Sequence, residues 1–286
     1  MRVYTARLCY ASRMKSSLGL ALAGMILAVV SLVVGPGAHA QQTDEDEKTL
    51  EVRAAMDGGV AAFKNGQYAD AAASFVIATR LAPGNALAHL YLGTAYAVQV
   101  VPNLLTPENT QIASSALAEL DIVLKTHPDY LTAIKQEASI YRNIQKYDEA
   151  LSMEKRAVAI NPSDADAIYA IGYIDWTEAH RNAIKRLTED GDSDDGIGNT
   201  KMLRGACEKL RAENTALVND GIANLKRAIE LKPDNADAMQ YLQLMYRRHA
   251  DLACGDKTAL SADLKLAEEW TRKAVETHKR VAAPAQ

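Results

Sequence analysis

The sequence predicts an all-α chain of repeated helix pairs, and three observations predict it. The stretch GQYADAAASFVIATRLAPGN, Gly66 to Asn85, returns as QKYDEALSMEKRAVAINPSD, Gln145 to Asp164, with Tyr68 answering Tyr147, Ala71 answering Ala150, Ala78 answering Ala157 and Pro83 answering Pro162. A proline turn recurs at Pro83-Gly84-Asn85, His127-Pro128-Asp129, Pro162-Ser163-Asp164 and Pro233-Asp234-Asn235, where proline halts a helix and Gly, Asn or Asp supplies turn geometry. Only two Phe and two Trp stand among 48% hydrophobic residues while Ala is abundant, a balance that suits closely packed helices better than a bulky sheet core.

The N-terminus reads as a leader. Arg2, Arg7, Arg13 and Lys15 precede an apolar run from Leu18 to Val34, and Ala38-His39-Ala40 has the small-x-small form of a signal-peptidase site. Residues 1–40 are therefore expected to be a cleaved secretion signal, with a periplasmic or secreted mature chain beginning near Ala40. Met14 opens a more compact signal, so the start is Met1 or Met14. The alternative is an uncleaved anchor, since an apolar run of roughly 17 residues sits at the lower limit for crossing a bilayer. Any membrane contact is expected through that segment alone.

Removing residues 1–40 takes away four basic and no acidic residues, leaving 28 basic and 36 acidic residues and moving the formal charge from −4 to −8. Nucleic-acid binding needs a concentrated basic face, so no nucleic-acid partner is expected. Residues 41–51, rich in Asp and Glu, read as an acidic linker.

From residue 52 the turns mark five units, at 52–85, 86–130, 131–164, 165–235 and 236–281, followed by a tail at 282–286. After each turn comes an apolar-periodic first helix: AHLYLGTAY from Ala88, AIKQEASIY from Ala133, AIYAIGYID from Ala167 and AMQYLQLMY from Ala238. Leu92-Gly93 and Tyr96 in a first helix, Ala150 and Ala157 in a second, and a closing Pro162 resemble the tetratricopeptide repeat, a helix-turn-helix of about 34 residues. The resemblance implies an α-solenoid, a right-handed superhelix of stacked helix pairs, over residues 52 to 281. Small residues recur because the two helices of a unit must approach closely. His89 stands where that family often has Trp, Glu154 falls at a usually aromatic position, and Gly221 replaces a packing Ala.

Three insertions interrupt the pattern. Gly93 to Pro128 is 35 residues and Gly172 to Pro233 is 61, against 24 in an uninterrupted unit, and Tyr246 to Ala267 is 21 against nine for Tyr141 to Ala150. They lie at about 97–110, 177–213 and 249–260, all between the first and second helix of a unit, so a solenoid places them along one edge. The largest keeps helical spacing to about Asp190 and resumes it at about Lys201, which predicts one protruding helical hairpin with a polar loop, GDSDDGIGNT.

Catalytic and cofactor motifs do not occur: there is no phosphate loop, nucleophile elbow, H-E-x-x-H pair or C-x-x-C. No enzyme activity, cofactor or metal is expected. Glu178 with His180, and His249, Asp251, Cys254 and Asp256, lack the spacing of a metal site. Asp190, Asp192 and Asp194 alternate like the first ligands of a calcium loop, but Asp195 and Lys201 occupy the places of its glycine and bidentate glutamate.

The inner face of the first helices is where the resemblance implies binding of an extended peptide or partner helix. On the 3.6-residue period that face collects Arg53, Met56, Val60 and Phe63, then Leu87, Leu90 and Thr94, then Lys135, Ser139, Arg142 and Asn143. Tyr169, Tyr173 and Trp176 follow, and finally Gln240, Leu244, Arg247 and Arg248. The candidate partner groove is Lys135, Arg142, Asn143, Tyr169, Tyr173, Trp176, Gln240, Arg247 and Arg248, where aromatic area beside guanidinium groups suits apolar and acidic side chains. Packing of Tyr173 and Trp176 against the hairpin is the competing reading. The carboxylate clamp of chaperone-binding relatives is not expected, because Met56, Val60, Tyr91, Thr132 and Gln136 stand at its positions. These features imply a non-enzymatic protein-interaction scaffold in the cell envelope; a solute or glycan receptor using the aromatic patch is the alternative.

Cys207 and Cys254 are expected to form a disulfide. Cys207 lies about 21 Å up its helix from Gly221 and Cys254 about 12 Å beyond Tyr246, a height difference of about 9 Å. That exceeds the tolerated Cα separation of about 4.4–6.8 Å, so Ala253-Cys254-Gly255 must bend. Two unpaired buried thiols are the alternative.

Overall fold

The structure, a computed structural model, describes residues 36–282, with side chains described from Glu45 onward. The expected signal at 1–40 lies outside the described residues except for its last five, and residues 283–286 also lie outside them. The chain divides into two units, Met1–Glu45 and Asp46–Gln286; α1 from Asp46 onward and all later helices belong to the second.

Among the described residues there are ten α-helices, one 3-10 turn and no strand. They run in pairs: α1 (Pro36–Lys64) with α2 (Tyr68–Leu81), α3 (Ala86–Ala97) with α4 (Pro107–Thr126), and α5 (Leu131–Asn143) with α6 (Tyr147–Ile160). The pairs α7 (Ala165–Glu189) with α8 (Arg204–Leu231) and α9 (Ala236–Ala250) with α10 (Lys257–Ala282) follow, with the 3-10 turn Asp251–Ala253 closing α9. Each expected turn separates two pairs. Residues 41–51, expected as an acidic linker, are helical and lie within α1, because Gln, Glu and Lys are good helix formers and no Gly or Pro stands between Ala38 and Asp57.

The turn residues act through specific bonds. The Asn85 side chain accepts from the amides of Leu87 and Ala88 at 3.1 and 3.2 Å and so caps α3. Asp164 caps α7 through the Ala167 amide at 3.0 Å, and Asn235 caps α9 through the Ala238 amide at 2.9 Å. At the end of α1 the chain reverses through Gly66 at φ 76°, where glycine carries no steric penalty. The same place in the third unit is held by Gln145 at φ 60°.

Small residues set how closely the pairs pack. Ala71, Ala78, Ala150 and Ala157 are fully buried, with 0% exposure. A methyl on Gly172 would lie 2.6 Å from Leu225 Cγ, so α7 and α8 touch where the glycine leaves room. Three apolar clusters run along the chain: Phe75 and Leu92 in the first, Leu120, Ile134 and Ile140 in the second, and Ile168, Leu210, Leu225, Leu242 and Met245 in the third. His89 is held at both ring nitrogens, by Glu119 at 2.6 Å and the Pro83 carbonyl at 2.9 Å.

All three insertions are anchored. In the first, buried Asn109 accepts from the Val101 amide at 2.8 Å and donates to the carbonyls of Val101 and Leu104 at 3.0 and 2.7 Å. In the second, the expected hairpin is formed by the far halves of α7 and α8, pinned by Asn214, which donates to the Ala179 carbonyl at 2.8 Å and accepts from Asn182 at 2.9 Å. Its tip does not stand free: Asn199 donates to Asp251 at 3.0 Å, and Arg248 donates to Asp194 at 2.9 Å. Cys207 on α8 and Cys254 in the third insertion stand at disulfide distance with Cα atoms 5.5 Å apart, where the chain bends through two left-handed residues, Cys254 at φ 49° and Gly255 at φ 95°.

Candidate partner-binding surface

Helical spacing puts Tyr169, Tyr173, Trp176 and His180 on one strip of α7. Tyr241 of α9 stands in their midst, with ring centroids 6.0 Å from Tyr169, 4.9 Å from Tyr173 and 5.1 Å from Trp176. Tyr147, the first residue of α6, reaches Tyr173 at 6.5 Å, and the Arg181 guanidinium lies 5.6 Å over the Tyr147 ring. His180 stacks on Trp176 at 5.0 Å with planes 7° apart. Edge-to-face pairs contribute about 0.5–1.5 kcal/mol each beyond burial, so six rings from three helices form a stiff seam. The buried indole Nε1 of Trp176 has no acceptor among the described residues.

A shallow cleft opens on either side of this seam. One, of about 300 Å³, is lined by Arg142, Asn143, Tyr169, Tyr173 and Tyr241, and closed by Pro102 and Asn103 of the first insertion. That wall is fixed by the Asn103 amide donating to the Asn143 carbonyl at 2.8 Å. The other, of about 290 Å³, is lined by Trp176, His180, Leu244 and Arg247, with Asp194 and Gly196 of the second insertion as its wall. Two insertions thus frame the aromatic seam, which no helical projection could show.

The expected groove residues divide into three groups. Tyr169, Tyr173, Trp176, Arg142, Asn143 and Arg247 line the clefts. Lys135 is tied to the helix-capping Asp164 at 2.6 Å, and Gln240 is exposed without lining either cleft. Arg248 also touches the second cleft, but it is only 3% exposed and is occupied by Asp194 and by Asp251 at 3.1 Å. Its helical phase matched the inner face; Asp194 of the insertion loop, far away in sequence, and Asp251, three residues on, supply the carboxylates that take it out of service. Arg142 is similarly engaged, by the buried Glu154 at the position where the repeat pattern has an aromatic residue. Arg247 differs, donating to the neutral Gln243 Oε1 at 2.9 Å and the Gly196 carbonyl at 2.6 Å, with no carboxylate paired to it among the described residues.

Burial, then the neighbouring Tyr241, raises the Tyr169 phenol, and burial, then Tyr173, raises Tyr147 and Tyr241 alike, so the ring hydroxyls stay neutral donors. Burial, then Arg248, lowers the His180 pKa against the pull of Asp194. The acidic loop is spent internally: burial pushes the Asp194 carboxyl up, but hydrogen bonds from Arg248 outweigh it and hold it below the ordinary value. Glu178 pairs with Arg181 at 2.9 Å and His249 with Asp263 at 2.7 Å, and no group of three or more metal-type ligands exists among the described residues.

Tyr241, Tyr147 and His180 were missed by the sequence reading. Tyr147 carried a signal, as the repeat partner of Tyr68; Tyr241 sits on the flank of α9 beside the projected face, and only the α7–α9 packing brings it in. Earlier in the chain, Val60, Phe63, Phe75, Leu90, Tyr91, Thr132 and Gln136 line an apolar cleft of about 260 Å³, with Lys64 as its one lining cation.

Comparison with known proteins adds the family context. Residues 56–100 match the family model of the tetratricopeptide repeat. Solved structures share the fold: "MamA 41-end from Desulfovibrio magneticus RS-1" is 18% identical with a TM-score of 0.55, covering 82% of this chain and 98% of that one. The fold is that of a tetratricopeptide-repeat solenoid. A second structure, described as "YrrB: a TPR protein with an unusual peptide-binding site", is 14% identical with a TM-score of 0.51, covering 84% of this chain and 92% of that one. A curated relative, the "Protein CTR9 homolog" of Arabidopsis thaliana, is 28% identical over 137 residues, 45% of this chain and only 12% of its own length. Within the solenoid, the aromatic seam joins the first helices of the fourth and fifth repeats.

Proposed function

We propose that this solenoid is a non-enzymatic protein-interaction scaffold, exported to the cell envelope, whose repeats three to five hold a peptide or partner helix carrying an apolar side chain beside a carboxylate. The observation that carries the reading is Arg247, a cation without a carboxylate partner among the described residues, at the rim of a cleft walled by Trp176 and Leu244. A carboxylate there would complete a charge-assisted pair while its apolar neighbour fills the cleft. Peptide binding named for one structural neighbour agrees with this reading, and the leader-like residues 1–40 support the envelope location. A glycan receptor is less favoured, because one face of Trp176 is covered by His180 and its flank by the Tyr241 ring.

The test is capture of a partner from envelope extract with the wild-type chain and with Tyr173→Ala/Arg247→Ala. A stoichiometric protein retained by the first and lost by the second supports the scaffold. Stabilisation by a small sugar or solute, with no protein captured, overturns it.

A further inference from the structure

Away from the aromatic seam, one bond with its own chemistry stands in a cavity. Cys207 and Cys254 line a cleft of about 620 Å³ bounded by Gly198, Met202, Lys257 and Leu260. Cys207 is 4% exposed, whereas Cys254 is partly exposed and also lines a second opening, of about 460 Å³. A thiolate arriving from solvent therefore meets Cys254 first. Cys207 occupies the first turn of α8, its amide bonded to the Leu203 carbonyl at 2.9 Å, where the positive end of a 28-residue helix favours a departing thiolate. One sulfur is presented and the other is placed to leave.

We propose that Cys254 is the site at which an external thiol opens this bond, and that opening it frees the 194–199 loop and with it Arg247. A thiolate attacks Cys254 Sγ, a mixed disulfide forms there, the Cys207–Cys254 bond breaks, and Cys207 leaves as a thiolate that takes a proton from water. The second thiol of a dithiol reductant then displaces Cys254, so the chain gains two electrons and the dithiol, now a disulfide, loses them.

The consequence follows a continuous line of contacts. Cys254 ends the 3-10 turn that carries Asp251, whose carboxylate holds Asn199 at 3.0 Å and Arg248 at 3.1 Å. Arg248 holds Asp194, and two residues on, the Gly196 carbonyl receives Arg247 at 2.6 Å. Cys254 itself sits at φ 49°, a region that non-glycine residues seldom occupy, so the turn relaxes when its tether is cut. The exchange is independent of what the cleft beside Arg247 binds.

The test uses the oxidised full chain at near-neutral pH. Glutathione is added, freed thiols are alkylated, and the peptides are mapped: glutathione on Cys254 with alkylated Cys207 is expected, while glutathione on Cys207 or no adduct overturns the entry point. Hydrogen exchange is then compared before and after dithiothreitol. Amides at 194–202 should exchange at least about ten-fold faster in the reduced chain, with α3 to α6 unchanged as an internal reference. Equal exchange in both states, or faster exchange throughout the chain, overturns the local release.

Discussion

Arg248 and Asp194, 54 residues apart, share one guanidinium nitrogen: Nη2 lies 2.9 Å from one carboxylate oxygen and 3.0 Å from the other. The same guanidinium faces Asp251, so one buried cation serves two carboxylates. Replacing it, as in Arg248→Met, leaves both acids without compensation, and removal of one partner of a buried pair costs about 3–5 kcal/mol. Urea unfolding should show a loss of that size. A change within about 0.5 kcal/mol, the range of an ordinary surface substitution, would show that the loop is not held this way.

Stability should fall as pH rises through neutrality. Glu137 is 1% exposed, and burial, then the nearby Asp121 carboxylate, raises its pKa from 4.5 to about 7 against the opposing Arg156. The folded chain thus binds this proton more tightly than the unfolded chain. The contribution is fully present below pH 4.5 and is lost as pH rises to about 7. Asp251, at about 7, and Asp175, at about 6, are raised mainly by burial and act in the same direction. Thermal melts should show Tm dropping between pH 5 and 8, and Glu137→Gln should recover up to about 3 kcal/mol at pH 8 with little change at pH 5. An unchanged wild-type Tm across that range contradicts the raised carboxyls.

The paired helix ends offer a stabilising substitution. Gln145, at φ 60°, does in the third unit what Gly66, at φ 76°, does in the first. Gln145→Gly should raise the unfolding free energy by about 1 kcal/mol and Gly66→Ala should lower it by about as much, since an L side chain resists the left-handed region. Opposite signs in the two variants are the diagnostic outcome.

Trp176 should report the protonation of His180. Burial, then Arg248, lowers the imidazole pKa below its ordinary 6.5, so the ring stacked 5.0 Å away is neutral at pH 7. Charging it on acidification places a cation on the indole face. In Trp270→Phe, where Trp176 is the remaining indole, emission should fall with a midpoint below 6.5, and the titration should vanish when His180→Gln is added. A midpoint above 6.5 would assign the wrong environment to the histidine.

Much of the architecture was legible in the sequence because it is written locally. Pro83, Pro128, Pro162 and Pro233 each stop a helix within their own turn, and Asn85, Asp164 and Asn235 cap the next one a residue or two later, so spacing alone counts the pairs. The candidate surface was only half legible. Tyr169, Tyr173 and Trp176 share one helix and follow its period, whereas Tyr241 joins them through a helix-helix contact that no single-helix projection contains. The role of Arg248 depends on Asp194 and Asp251, one of them in a loop whose polar composition resembles a solvated turn. The helical state of residues 41–51 was not read, for the opposite reason: acidic composition drew attention away from residues that are also good helix formers.

The unequal lengths of the helix pairs have a mechanical consequence. In a linear array each pair is stabilised by its own seam and by its neighbours alone. The seam between α7 and α8, helices of 25 and 28 residues, is far longer than that between α5 and α6, of 13 and 14. It is cross-tied to the following pair by the Cys207–Cys254 bridge and the Arg248 contacts. Tension on the described chain therefore peels it from the α1 side, one pair after another, while the last two pairs hold together as a single knot and give way last.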